Sequence, residues 1–318
     1  MSDSATKERH DWACRMLDAA ILTYNIQPAS GSISTWIPDA ATSGLLANLG
    51  LPDAPPDFFF DGSESINAGF VGRTSDGYAV LALRGTLPPG GSDTAAWVED
   101  WVNDFKAGPV DWTIAGSKIG QIEAGFAEAA LSLWQVGEGP LAKIVEDKAD
   151  PVKGIVITGH SKGAALVYPV ASLVETRWPG LISRIDAYAT PMTADQAFAD
   201  WFQSKGLTGK TTRYQNKDDI VPFLPVWPKL DISGWIMKVL DLSGSNLFSD
   251  DYVLIGSLEY LAEQGGACEI LTGSAGQDQA NTDIEAALES LDLEAIISAH
   301  SATGRYHTCL CGDRLPSA

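Results

Sequence analysis

The most restrictive feature of this chain is the five-residue segment Gly159-His160-Ser161-Lys162-Gly163, which separates two apolar stretches of different character. The β-branched run at 152–158 predicts a buried strand, and the residues at 161–177 have helical spacing. A direct strand-to-helix turn is crowded, so only small residues fit two positions before and after its centre. The two glycines of the segment meet that demand, which predicts a serine lifted clear of a sheet. An ordinary strand–turn–helix with Ser161 as a helix N-cap is the alternative interpretation.

The surrounding sequence alternates between strand and helix patterns. Strands are expected at 182–189 and 211–215 with a helix at 193–204 between them, and a hairpin is expected upstream at 66–83. Buried strands in strand–helix–strand order favour a mostly parallel central sheet with helices on both faces. We therefore expect residues 1–318 to form one α/β domain. Further expectations are an amphipathic N-terminal helix, irregular structure at 28–65, and helices at 118–135 and 282–298.

A serine hydroxyl becomes a useful nucleophile only when a base lies within hydrogen-bond reach and donors face the developing oxyanion. The base is expected to be a histidine, and the chain has four of them: His10, His160, His300 and His307. His160 adjoins the serine in sequence and cannot fold back onto it, so we expect it to pack beneath the turn. His10 lies in a polar N-terminal segment. His300 and His307 both remain candidates, because each follows the serine in the order serine, acid, histidine.

The acid is expected at the end of a later strand. Asp218 and Asp219 follow the strand expected at 211–215, so either of them fits, whereas Asp186 lies inside a predicted strand and is less suitable. With such an acid and a histidine, Ser161 would have the partners of an α/β-hydrolase.

Several segments resemble the class 3 lipases, the family that includes fungal triacylglycerol lipases, and they occur in order from about residue 66 to residue 306. They are Leu83-Arg84-Gly85-Thr86, Asp100-Trp101-Val102-Asn103-Asp104-Phe105, Ala124-Gly125-Phe126, the run from Arg213 to Pro222, and Tyr252-Val253-Leu254-Ile255-Gly256. The last of these resembles a late edge strand of the family. The resemblance implies an α/β-hydrolase fold with a lid helix, to which this sequence adds an apolar insert near the acid.

The same resemblance implies roles for individual residues. Asp219 becomes the acid because it directly precedes Ile-Val-Pro, and His300 becomes the base because the family has a tyrosine a few residues after its histidine, here Tyr306. Thr86 and the backbone N–H of Lys162 become the oxyanion hole. With Ser161 as nucleophile, the expected reaction is ester hydrolysis through an acyl-enzyme, with no metal and no cofactor.

Two apolar segments are candidates for contact with substrate. Residues 87–107 include Trp97, Trp101 and Phe105 on one helical face, which is typical of a fixed surface helix, but the resemblance places a mobile lid there. Residues 223–250 form an apolar insert next to the acid, either a cap over the site or an additional core helix.

Composition limits the partners of the protein. The formal net charge of -20 argues against nucleic acid and anionic membranes, because no basic surface is available. The N-terminus lacks the apolar region of a Sec signal, and no run is long enough to span a bilayer, so we expect a cytoplasmic protein or one exported without such a peptide. The four cysteines are expected to be unpaired thiols rather than disulfides.

Three functions are consistent with these patterns. The expected function is that of a lipase cleaving acylglycerols or other lipid esters, with transient contact to a lipid interface. An esterase acting on small, aromatic or polymeric esters would use the same triad. A non-catalytic binding protein with this fold would need a broken triad, whereas here every member has a candidate. The sequence leaves the oligomeric state open.

Overall fold

The computed structural model describes residues 3–28, 34–37, 42–51, 56–61, 67–87, 108–224, 252–264, 267–290, 295 and 298–312. The strands of these regions are β1 Ile26–Pro28, β2 Ser34–Trp36, β3 Asp57–Phe60, β4 Ala68–Arg73, β5 Tyr78–Leu83, β6 Pro109–Ile114, β7 Ser117–Glu123, β8 Gly154–His160, β9 Ile182–Tyr188, β10 Thr211–Asn216, β11 Ser257–Gln264 and β12 Ala267–Thr272. Eight of them form one sheet in the spatial order β12-β11-β10-β9-β8-β5-β4-β3. The pairs β1–β2 and β6–β7 form separate antiparallel hairpins.

The five central strands of the large sheet are parallel, and the antiparallel strands lie at its two edges. Parallel pairing joins β5 to β8, β8 to β9, β9 to β10 and β10 to β11. Every residue of β8 is buried, which explains why its sequence is continuously apolar rather than alternating. The expected mostly parallel central sheet is confirmed.

Helices cover both faces of this sheet, as in an α/β-hydrolase fold. They are α1 Asp3–Leu22, α2 Thr42–Asn48, α3 Ala124–Val145, α4 Lys162–Arg177, α5 Gln196–Ser204, α6 Gly273–Ser290 and α7 His307–Cys311. The core on one face contains α3, α4, α5 and α6, and the core on the other face contains α1, α2 and α7. In the part of the chain that the structure describes, no helix combines the length and apolarity needed to cross a membrane.

The alternation of side chains along the central strands assigns them to these two cores. Ile155 and Ile157 of β8 pack with α4, whereas Val156 between them packs with α1. Because strand side chains point alternately to opposite faces, one short apolar strand contributes to both cores. The nucleophile segment at the end of β8 is thereby anchored from both sides of the sheet.

Four local predictions were wrong in detail. The stretch at 28–65, expected to be irregular, contains β2, α2 and β3, and β3 pairs with β4 in the large sheet. The segment at 118–135, expected to be helical throughout, begins as strand β7, and α3 starts only at Ala124, where the Glu123 carboxylate caps it by accepting the Phe126 N–H. The capping-box sequence at Thr282 lies inside α6, which already begins at Gly273. The late edge strand expected at 252–256 begins at Ser257 instead, and it is not the edge, because β12 pairs with its outer side.

The expectation of unpaired thiols was also wrong, because all four cysteines form disulfides. Cys14 of α1 bonds to Cys311 of α7, and Cys268 of β12 bonds to Cys309 in the same short helix. These bonds join residues 297 and 41 positions apart in sequence. They attach the C-terminal segment to the first helix and to the edge of the sheet.

Candidate active site

Ser161 lies at a sharp turn between β8 and α4, as its sequence context predicts. Its backbone is in the sparsely populated region at φ 60° and ψ -129°, and its N–H donates to the Tyr188 carbonyl at 2.9 Å. Such strain in a residue other than glycine persists only where the surrounding structure imposes it, and it is a frequent feature of functional sites. This conformation is that of a nucleophile elbow, in which the serine side chain projects from the top of the sheet.

The two glycines of the turn are required by close backbone contacts. A Cβ atom at Gly159 would overlap the Gly163 carbonyl, and a Cβ atom at Gly163 would overlap the Leu83 carbonyl at the end of β5. The start of α4 therefore packs directly against the strand that leads to Thr86. This contact brings the two expected oxyanion donors, the Thr86 and Lys162 backbones, to the same edge of the sheet as Ser161.

Asp219 and His300 form a buried hydrogen-bonded pair beside this turn. The Nδ1 atom of His300 lies 3.1 Å from both carboxylate oxygens of Asp219, and the two side chains are 1% and 0% exposed. Asp219 follows β10, and the parallel order of the sheet places the end of β10 beside the end of β9, next to β8. An acid that holds one ring nitrogen of a histidine fixes the tautomer in which the other nitrogen can act as a base.

Two further donors hold the Asp219 carboxylate. The Val221 N–H donates to Oδ1 at 3.0 Å, and the Tyr306 hydroxyl donates to Oδ2 at 2.7 Å. The Tyr306 oxygen itself accepts the Asn216 N–H at 2.9 Å. Burial, reinforced by the nearby Asp219 charge, raises the pKa of Tyr306 well above its usual value, so the hydroxyl remains a donor.

Sequence reasoning used Tyr306 only as a family marker for His300 and did not find its hydrogen bond to the acid. The family tyrosine six residues after His300 could have indicated this contact, because the His300 and Tyr306 side chains both bind Asp219. The contacts of His160 were missed altogether. Its ring centroid lies 4.7 Å from that of His300, so the residue before Ser161 packs against the candidate base.

The structure distinguishes the two candidate bases. His307, the alternative to His300, bonds to Asp18 of α1 through Nε2 at 3.1 Å, and both side chains are fully buried. His300 alone of the two contacts Asp219 within the described residues. Asp218, the alternative acid, instead accepts a hydrogen bond from Arg305 at 3.2 Å.

The two segments expected to contact substrate fall largely outside the described residues. Trp97, Trp101 and Phe105 of the expected lid all lie there, as do residues 225–250 of the insert. At the start of the insert, Phe223 and Leu224 are buried in the core that contains α4. Phe223 is the last residue of a single turn of 3-10 helix, Val221–Phe223, that begins two residues after the acid, and Leu224 follows it.

Comparisons with known proteins agree with this geometry. Residues 80–229 match the family model of lipase (class 3). A relative from Gibberella zeae, named secreted mono- and diacylglycerol lipase 3, is 36% identical over 107 residues, which are 33% of each chain. The match therefore spans about a third of that relative's length.

Solved structures share the fold over nearly the whole chain. A mutant form of MDLA from Penicillium cyclopium superposes with a TM-score of 0.60 at 18% identity, covering 98% of this chain and 100% of the other. A triacylglycerol lipase whose catalytic centre is described as a serine protease triad gives 0.60 at 16% identity, covering 95% and 93%. The family match at 80–229 contains both the nucleophile elbow and Asp219.

Proposed function

We propose that this protein is a serine carboxylic ester hydrolase in which Ser161, His300 and Asp219 form the catalytic triad. The observation that carries the proposal is the buried Asp219–His300 pair beside a serine in strained elbow geometry. His300 accepts the proton of Ser161 as the hydroxyl attacks the ester carbonyl, and Asp219 stabilises the imidazolium that results. His300 then protonates the leaving alcohol, and water hydrolyses the acyl-enzyme by the same steps.

The oxyanion of each tetrahedral intermediate is held by two backbone donors, those of Thr86 and Lys162. Lys162 is the first residue of α4, so its N–H is among those at the helix N-terminus that have no carbonyl within the helix to bind. Donors fixed in place before the reaction stabilise developing charge without a cost of reorganisation, which makes them one of the larger contributions to catalysis. The lysine side chain takes no part in this step, since only its backbone is used.

Removal of the Ser161 hydroxyl tests the proposed function directly. We expect Ser161→Ala to lower kcat on a p-nitrophenyl ester by about five to six orders of magnitude, as for other serine triads. A fluorophosphonate probe should label the wild-type protein at Ser161 and leave the variant unlabelled. Ser204→Ala, at the end of α5 and far from the elbow in sequence, serves as the matched control and should keep full activity. Full activity in the Ser161 variant would contradict the proposal.

For the substrate we propose lipid esters, acylglycerols above all. The names of the compared proteins support this class: mono- and diacylglycerols for the Gibberella relative, and triacylglycerol for one of the solved structures. The apolar face of Trp97, Trp101 and Phe105 is proposed to be the inner surface of a lid that opens at a lipid interface.

An esterase on small, aromatic or polymeric esters would instead show its highest kcat/KM on short acyl chains, with no rise in rate at the solubility limit.

We also propose that the protein functions in an oxidising compartment. Two disulfides support this, because such bonds are rare where glutathione and thioredoxin keep thiols reduced. The Gibberella relative is itself named a secreted lipase. Mass spectrometry of the protein from its native source, after alkylation without reductant, should find all four cysteines unmodified. Alkylated cysteines would contradict the proposal.

A further inference from the structure

His160 makes two hydrogen bonds that the proposed triad does not use. Its Nε2 atom lies 2.8 Å from the backbone carbonyl oxygen of His300, and its Nδ1 atom lies 2.9 Å from the Tyr24 hydroxyl. The side chain is 4% exposed, so both contacts are shielded from water. The residue before the proposed nucleophile is thereby bonded to the main chain of the proposed base.

The chemistry of the partners fixes which atom donates in each bond. A carbonyl oxygen only accepts, so the Nε2 atom of His160 must carry a proton and donate to His300. Burial, together with the neighbouring His300, lowers the pKa of His160 well below its usual value, which keeps the ring neutral. The Nδ1 atom of a neutral ring with a protonated Nε2 is an acceptor, so the Tyr24 hydroxyl donates to it. The result is a directed chain from Tyr24 through His160 to His300.

Tyr24 joins this chain to a third part of the site. It lies in a turn of 3-10 helix, Thr23–Asn25, that directly follows α1. A Cβ atom at Gly85 would overlap its hydroxyl, so the oxygen lies against the backbone just before Thr86. Burial raises the pKa of Tyr24 far above its usual value, which keeps the hydroxyl protonated and able to donate. One side chain thus contacts the segment leading to the oxyanion residue and the residue preceding the nucleophile.

The main chain at His300 is held by two side chains: Asn216 of β10 donates to the Ala299 carbonyl at 2.8 Å, and His160 at the end of β8 donates to the His300 carbonyl. His300 lies in a turn after two helical residues, outside the sheet that positions Ser161 and Asp219. Asp219 holds the imidazole ring at Nδ1. A second contact at the carbonyl fixes the backbone relative to the end of β8. The contact at the ring and the contact at the backbone carbonyl together restrict where the Nε2 atom of His300 lies.

We infer that Tyr24 and His160 are positioning residues of the proposed hydrolase, holding the His300 main chain so that its imidazole stays aligned with Ser161. The inference rests on the proposed function and adds a part of the site beyond the triad. Displacement of a catalytic group by about 1 Å can cost on the order of 10²-fold in rate, so loss of this anchor should be visible in kcat. Substrate binding should be unaffected, because neither side chain is proposed to contact the ester.

A matched pair of substitutions at His160 separates positioning from packing. The amide nitrogen of glutamine reaches about as far as Nε2 and can still donate to the His300 carbonyl, whereas that of asparagine reaches only about as far as Nδ1. We expect His160→Asn to lower kcat on a p-nitrophenyl ester by about 10²-fold with KM unchanged. His160→Gln should recover activity to within about fivefold of wild type, the equivalent of one ordinary hydrogen bond. Tyr24→Phe should fall between them, at about tenfold.

Equal kcat in the His160→Asn and His160→Gln variants, or a change confined to KM, would overturn the positioning role. Fluorophosphonate labelling of Ser161 and inactivity of Ser161→Ala would in that case leave the triad intact. Thermal unfolding of each variant provides the control for folding. If His160→Asn is too unstable to purify, the kcat of Tyr24→Phe decides, and a wild-type value would contradict the inference.

Discussion

Two buried histidine–aspartate pairs have their histidines seven residues apart, and His300 binds its acid through Nδ1 whereas His307 binds through Nε2. His300 contacts Asp219 and His307 contacts Asp18, each across 3.1 Å and each with both side chains almost fully buried. The first pair lies at the carboxyl edge of the parallel strands, beside the strained Ser161. The second lies on the face of the sheet covered by α1 and α7, far from any strained residue in the sequence.

The difference lies in what surrounds each aspartate. Asp219 also accepts hydrogen bonds from the Val221 backbone and the Tyr306 hydroxyl, so its orientation toward His300 is fixed from several directions. Asp18 accepts from the Asn48 amide at 2.9 Å, which connects α1 to α2. A buried histidine–aspartate pair is therefore not by itself a sign of catalysis. Its position relative to a nucleophile separates the candidate site from a structural contact.

The second pair also belongs to a group of four candidate metal ligands. Cys14, Asp18, His307 and Cys311 have ligand atoms within 4.8 Å of one another, and all four residues are buried. The two cysteines are bonded to each other, however, so neither offers the thiolate that zinc prefers. The group is better described as a junction: one disulfide and one histidine–aspartate pair join α1 to α7.

Exchange of each histidine for glutamine gives the largest contrast between the two pairs. We expect His300→Gln to lower kcat on a p-nitrophenyl ester by about 10⁴-fold or more, because the general base is lost. His307→Gln should keep kcat within about threefold of wild type when assayed well below its unfolding temperature. Steady-state kinetics on the two purified variants measures both effects. The opposite result would make His307 the base and overturn the assignment of His300.

The second pair should contribute to stability rather than to catalysis. A buried polar group that loses its hydrogen-bond partner typically costs about 1–3 kcal/mol, and Asp18 is the partner of both His307 and Asn48. We therefore expect Asp18→Asn to lower the free energy of unfolding by about that amount, measured by urea denaturation with the disulfides intact. Glu8→Gln, at an exposed position of the same helix, is the control and should change it by about 0.5 kcal/mol or less. A cost below about 1 kcal/mol for Asp18→Asn would show that this pair contributes little to the junction.

The sequence was sufficient for the local parts of the site. The elbow was predicted from Gly159, Ser161 and Gly163 together with the strand and helix patterns on either side, because its constraint is local and leaves a direct trace in the residue types. The choice of Asp219 and His300 needed more than periodicity, since each had a neighbour with the same chemistry. The family pattern, through Ile-Val-Pro after the acid and Tyr306 after the base, supplied that choice.

The contacts that sequence reasoning missed are those between distant segments. The disulfide from Cys14 to Cys311 joins residues 297 positions apart, and no spacing rule specifies such a pairing. The bond from Tyr24 to His160 spans 136 positions. Strand β7 was predicted as helix because its apolar residues fit a helical period, and only pairing with β6 selects the extended form. In each case the missing information lies in the tertiary arrangement.

Substitution of Tyr306 should give the smallest effect of the series. It tests the difference between the two aspartates, because a tyrosine hydroxyl donates to Asp219, whereas Asp18 is bound by His307 and Asn48. Tyr306→Phe removes one hydroxyl that donates to Asp219 and accepts from the Asn216 backbone. The loss of one hydrogen bond to a charged acceptor is worth about 1.5–3 kcal/mol, part of which the remaining Val221 donor offsets. We expect kcat to fall by about tenfold and the free energy of unfolding by about 1–2 kcal/mol. Kinetics and urea denaturation on the same sample measure both. A loss of stability without any change in kcat would mean that Tyr306 serves the fold alone, and that the His300 contact and the Val221 N–H suffice to orient the acid.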